Sequence, residues 1–129
     1  MPRFVLLEHT GAPDDPAGLH YDLLLENGPD CRTWRLAEVP TRDGPDVVAV
    51  ELPPHRLAWL DRQAGEVSGG RGFARRIDAG TYEPAAAPKA EPGPDAVHVT
   101  LHGERLSGRL ALSTHADQWL ARLAGPDTP

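Results

Sequence analysis

His20-Tyr21-Asp22-Leu23-Leu24-Leu25-Glu26 is the run on which the fold turns. It is short, apolar and β-compatible, as is RFVLLEH at Arg3 to His9 before it. The connection from Thr10 to Leu19, TGAPDDPAGL, carries two prolines and two glycines. That composition rules out a helix and leaves two paired strands joined by a loop. Alternate residues of a strand share a face, so His20 and Asp22 project together, their Cα atoms about 7 Å apart, while Tyr21, Leu23 and Leu25 pack behind them. Leu24 lies one alternation beyond Asp22 on the same face. A neighbouring strand ending in His9 can supply a third donor. Two imidazoles and a carboxylate leave coordination positions for water and a phosphate oxygen, and manganese, zinc or iron suits such a set. The competing reading is that His-x-Asp has arisen by chance and that these are ordinary surface or core side chains.

Further strands are expected at Cys31 to Ala37, Val47 to Leu52, Phe73 to Ile77, Thr81 to Glu83, Ala96 to His102 and Gly108 to Ser113. Many short strands separated by turn signals indicate a sandwich or barrel. Pro84 to Asp95, PAAAPKAEPGPD, has no apolar residue larger than alanine and reads as a mobile Pro/Ala-rich loop within one domain. Thr114 can cap a short C-terminal helix from about His115 to Leu123, with Trp119, Leu120 and Leu123 on one face. The expectation is therefore a mainly β chain with long loops and a short C-terminal helix.

The 129 residues fit a single domain spanning 1–129. Asp and Glu number 19 against 13 Lys and Arg, a net charge of -6. Such a surface does not hold nucleic acid by bulk attraction, so any polyanion must be gripped locally. Cys31 is the lone cysteine, which excludes an internal disulfide and a cysteine-based zinc site and favours a reducing compartment. No run of about 18 apolar residues and no signal core is present, so a cytoplasmic protein with no membrane partner is expected.

Taken in order, EHTGAPDDPAGLHYDLLLE, CRTW, VAVELPPHRLAW, DAGTYEP and LHGERLSGRLAL resemble the 3′-phosphoesterase domain found at the N-terminus of bacterial DNA ligase D. The resemblance is collinear and covers nearly the whole chain. It implies a small antiparallel β-barrel that uses manganese to trim ribonucleoside or phosphate groups from the 3′ ends of DNA before ligation. It also implies that His9, His20 and Asp22 hold the metal, Mn²⁺ or another divalent ion such as Zn²⁺, and that His55 lies at the phosphate. Pro53-Pro54 before His55 form a rigid lead that aims its ring. A histidine there can donate to the phosphate or protonate a leaving oxygen.

The chain departs from the family pattern at several phosphate contacts. Leu24 stands where the family carries an arginine on the metal face, and Trp59 where it usually carries a tyrosine. The loop between His9 and His20 is longer, and Arg35-Leu36-Ala37-Glu38 replaces a lysine-bearing segment. Arg35, Arg71, Arg75 and Arg76 are the cations that could take over the phosphate. The expected partners are nucleic-acid 3′ ends and a separate DNA ligase or polymerase, with the protein a monomer. Two other readings stay open: a catalytically impaired binding module of a repair assembly, and a hydrolase of a small phosphorylated metabolite. His98 and His102 read as solvent-facing hairpin residues, and Ser68-Gly69-Gly70-Arg71-Gly72 as a flexible turn near the site mouth. Trp34, Trp59 and Trp119 read as core aromatics.

Overall fold

The computed structural model describes residues 1–85 and 96–125. Among the described residues nine strands follow in chain order: β1 (Arg3–Thr10), β2 (Leu19–Asn27), β3 (Asp30–Leu36), β4 (Val47–Arg56), β5 (Ala64–Glu66), β6 (Phe73–Pro84), β7 (Ala96–Gly103), β8 (Ser107–His115) and β9 (Gln118–Ala124). Their order in the sheet is β1-β2-β3-β4-β9-β8-β7-β6-β5, and β1 also pairs with β6. Eight antiparallel strands thus close a barrel, and β5 is an extra strand on the outer edge of β6. One 3₁₀ helix, Leu57–Asp61, follows β4. Among the described residues no helix is long and apolar enough to cross a membrane.

Alternation along the strands divides the apolar residues between two cores. Phe4 and Leu6 of β1, Leu23 and Leu25 of β2, and Trp34 and Leu36 of β3 fill the barrel with Leu101, Leu110, Leu112, Ala121 and Leu123. The interleaved positions Val5, Leu7, Leu24 and Cys31 face outward and would be wet on a bare barrel. They are covered by Leu60 of the 3₁₀ helix, with Leu57, Trp59 and Ala79 packed around them. The metal-ligand candidates continue this outer face beyond Leu7 and Leu24.

The expected C-terminal helix is not formed. Gln118–Ala124 is β9, which pairs along its length with β8 and through Val47↔Ala121, Val48↔Leu120 and Ala49↔Trp119 with β4. The chain reverses at Ala116 and Asp117, whose φ angles of 50° and 66° are both left-handed, as a two-residue hairpin turn requires. Ala121 and Leu123 enter the barrel, and Trp119 packs its ring 5.6 Å from that of Trp34. A helix here would have left both β4 and β8 with an unpaired edge.

The expected strands at 73–77 and 81–83 are one strand, β6, with a bulge at Ile77 where the register against β1 shifts between Leu6 and Leu7. The bulge bends β6, which pairs with β1 on both sides of it, with β5 before it and with β7 after it. Pro84 ends β6 and Ala96 begins β7; residues 86–95 of the expected loop lie outside the described residues. Just after the bulge, buried Asp78 accepts backbone N–H groups from Ala79, Glu104, Arg105 and Leu106. This ties the β7–β8 turn to the barrel wall.

Candidate metal centre

The register of β1 against β2 sets His9 directly opposite His20 and Leu7 opposite Asp22. The His9 and His20 rings stand 4.7 Å apart between centroids, tilted by 57°. One ligand atom from each of His9, His20 and Asp22 lies within 4.8 Å of the other two, a spacing in which a single ion could be held. His20 and Asp22 are 3% and 5% exposed, so the donors are shielded from water.

Each imidazole is oriented by a partner from a different loop. His9 Nε2 lies 2.7 Å from the Arg71 carbonyl, which only accepts, so Nε2 donates there, and Nδ1 is 3.2 Å from Asp22 Oδ2. His20 Nδ1 donates to Asp15 Oδ2 at 2.8 Å, which leaves Nε2 facing Asp22 Oδ1 at 3.4 Å. His20 Nε2 and Asp22 Oδ1 are sealed from solvent yet make no hydrogen bond. With both rings neutral, lone pairs of nitrogen and oxygen confront one another across the centre. A cation between them converts that repulsion into coordination, so these donors fit a divalent ion.

Without an ion the same carboxylates favour a proton on His20, which a bound cation would displace. Burial opposes protonation of His20, but the carboxylates of Asp22 and Asp15 outweigh it and raise its pKa. Burial would likewise raise Asp22, and His20 followed by His9 overcomes it, holding the carboxyl below its ordinary value. Hydrogen bonding to His20 lowers the Asp15 carboxyl in the same way.

The glycine-rich turn is what brings the Arg71 carbonyl to His9. Gly72 has φ 94°, and a Cβ there would fall 2.0 Å from the Thr10 carbonyl oxygen, so only glycine lets the turn lie this close to the end of β1. The turn therefore has a defined contact rather than simple flexibility.

The four arginines are placed differently. Arg35 sits directly across from Asp22 on β3, on the same face as the three ligand candidates. One of its terminal nitrogens reaches Asp14 at 3.3 Å, and its buried Nε has no hydrogen-bond partner. The Arg71 guanidinium folds back on Ser68. Arg76 shares the outer face but donates to the Leu60 carbonyl. Arg75 lies on the opposite face, where it pairs with Glu8.

His55 is at the other end of the same face. Its β3 neighbour is Cys31, which in turn pairs with Glu26, four residues beyond Asp22 or about 13 Å along the strand. His55 Nδ1 donates to the Pro53 carbonyl at 3.1 Å, and its ring packs edge-on to Trp59. Leu24, fully buried, occupies the ground between His55 and the three ligand candidates. His102 is exposed and meets Glu83, in keeping with a solvent-facing role. Asp15 and the Arg71 carbonyl were not apparent from sequence spacing. The only hint was an acidic pair in an otherwise Pro/Gly-rich loop.

Comparison with known proteins adds a family to this geometry. The family described as the DNA Ligase D 3'-phosphoesterase domain matches residues 12–114. The multifunctional non-homologous end joining DNA repair protein LigD of Mycobacterium tuberculosis is 32% identical over 122 residues, covering 92% of this chain and 15% of that protein. The LigD protein of Mycolicibacterium smegmatis is 31% identical over 129 residues, covering 92% of this chain and 16% of its own length. The chain thus spans a small fraction of these relatives.

Proposed function

The chain belongs to the DNA ligase D 3′-phosphoesterase domain family, and from that premise we propose that it is a metal-dependent phosphoesterase acting at the 3′ ends of nucleic acid. It would remove a terminal 3′-ribonucleotide or 3′-phosphate in DNA repair. The observation that carries this reading is the convergence of His9, His20 and Asp22, with His20 Nε2 and Asp22 Oδ1 buried and unpartnered. Manganese is the proposed ion, with zinc the alternative for the same donors. When bound, such an ion supplies Lewis-acid polarisation of a phosphoryl oxygen and offsets the charge that develops there.

The chain's own residues have separate tasks. His9 and His20 enter as neutral donors with their remaining N–H groups held by Arg71 and Asp15, while Asp22 brings the negative charge. Arg35 is the cation best placed to take a phosphate beside them, because it is across from Asp22 and its Nε is uncommitted. Arg71 stands second, at the rim, and would have to release Ser68 first. His55, whose Nδ1–H is spent on Pro53, would have to carry a second proton on Nε2 to donate to a phosphate or a leaving oxygen. The named relatives are end-joining proteins. By extension the present chain would work at DNA ends, as a monomer, with a separate ligase or polymerase.

The test is incubation of purified protein and Mn²⁺ with duplexes ending in a 3′-ribonucleotide or a 3′-phosphate. Wild type is expected to shorten or dephosphorylate them, and His20→Ala and Asp22→Ala to lose both the reaction and the thermal response to Mn²⁺. Arg35→Ala is expected to slow turnover about 10²-fold while leaving that response intact. Full activity of the His20 and Asp22 variants would sink the proposal. Buried Leu24 and the net charge of -6 favour a second reading, a module that binds ends without cutting them. Retention of both duplexes uncut would support it. Turnover of a small phosphorylated metabolite but of neither duplex would point to a hydrolase of such metabolites.

A further inference from the structure

The β1–β2 loop is a surface loop, exposed at Pro13, Asp14, Pro16, Ala17 and Gly18, yet Asp15 in its middle turns inward with its side chain only 11% exposed. The backbone holds it there. Gly11 N–H donates to Gly18 across the neck, Asp15 N–H to Ala12, and Gly18 N–H to Asp15. Both carboxylate oxygens are committed: Oδ1 accepts the Ala17 N–H at 3.1 Å, which fixes the side chain, and Oδ2 accepts from His20 Nδ1 at 2.8 Å. A loop that only needed to close could do so with the Ala17 contact alone.

We propose that Asp15 is a positioning residue of the metal centre, selecting the Nδ1–H tautomer of His20 so that Nε2 presents its lone pair beside Asp22. The role rests on the metal reading above. It is asymmetric, because His9 is held by the neutral carbonyl of Arg71 whereas His20 is held by a carboxylate. An anionic acceptor on one ring nitrogen makes the other a stronger donor, and partners of this kind commonly account for a tenfold to hundredfold difference in metal affinity. Asp15 comes from the β1–β2 loop and Arg71 from the β5–β6 turn, so the two histidines are supported by separate residues.

Two variants of the full chain test the role. Asp15→Ala removes both contacts. Asp15→Asn keeps one oxygen for the Ala17 N–H and turns an NH2 to His20 Nδ1, where it donates and favours the opposite tautomer. Titration calorimetry with Mn²⁺ is expected to show wild-type binding and affinity about tenfold to hundredfold weaker in both variants. Nitrogen-15 shifts of the metal-free protein, recorded at a pH high enough to keep His20 neutral, are expected to report His20 as Nδ1–H in wild type and as a mixture of tautomers in the variants, weighted toward Nε2–H in Asp15→Asn. Wild-type affinity together with an unchanged tautomer in both variants would overturn the proposal. So would a loss of affinity in which His20 keeps its tautomer and the metal-free protein melts earlier, since Asp15 would then be a loop tether only. A wild-type protein that binds neither Mn²⁺ nor Zn²⁺ would instead remove the metal reading, and this role with it.

Discussion

Leu24 has a face set by strand alternation and surroundings set by the fold. Alternation from His20 and Asp22 places it on the face of the ligand candidates. In the structure it is fully buried beneath Leu60, packed with Val5, Leu7 and Cys31. Leu24→Arg is therefore expected to destabilise the protein by about 3–5 kcal/mol, through an unpaired buried charge and lost packing. Urea unfolding would show this, and an arginine variant as stable as wild type would mean that the outer core opens easily. Cys31 in the same cluster behaves as a hydrophobe. Burial first, with Glu26 and Asp30 adding to it, pushes its thiol up to about 11. Native protein at pH 8 is expected to resist iodoacetamide and to react once unfolded. The folded state binds this proton more tightly than the unfolded chain, whose thiol titrates near 9.0. Its contribution to stability is thus complete below that value and declines as pH rises toward 11, which thermal melts across that range would show.

At the scale of elements, the hairpin between β8 and β9 separates local preference from tertiary demand. Thr114, Asp117 and the apolar trio Trp119, Leu120 and Leu123 satisfy a helix pattern, but Trp119, Ala121 and Leu123 equally satisfy a strand pattern. Two edges waiting on β4 and β8 decide in favour of the strand. The turn is not ideal for its conformation, since Ala116 holds φ 50° at a cost that asparagine or glycine would largely avoid. The double variant Ala116→Asn, Asp117→Gly is expected to gain about 1 kcal/mol and raise Tm by a few degrees. A drop in Tm would show that the turn conformation is wrongly assigned.

For the whole molecule, closure is the central fact, and it depends on points far apart in the chain. β1 must meet β6, β4 must meet β9, and the β7–β8 turn must be anchored against the wall. Asp78 provides that anchor through four backbone amides. Asp78→Ala is expected to cost about 3 kcal/mol, visible as a lower denaturant midpoint, because buried N–H groups lose a charged acceptor. A midpoint unchanged from wild type would show that water replaces the carboxylate freely. The sequence by itself determined the β class, most of the strands and the three ligand candidates. Those depend on alternation along a strand and on pairing across one loop, and both are short-range. Tertiary structure alone decided that the ligand face is the outside of a closed barrel, that Leu24 is roofed by a 3₁₀ helix, and that His20 leans on Asp15 and His9 on Arg71. It also decided that Arg75 falls on the wrong face and His55 far along the right one. These are matters of register, curvature and loop return, set by which distant strands pair, and no local pattern encodes them.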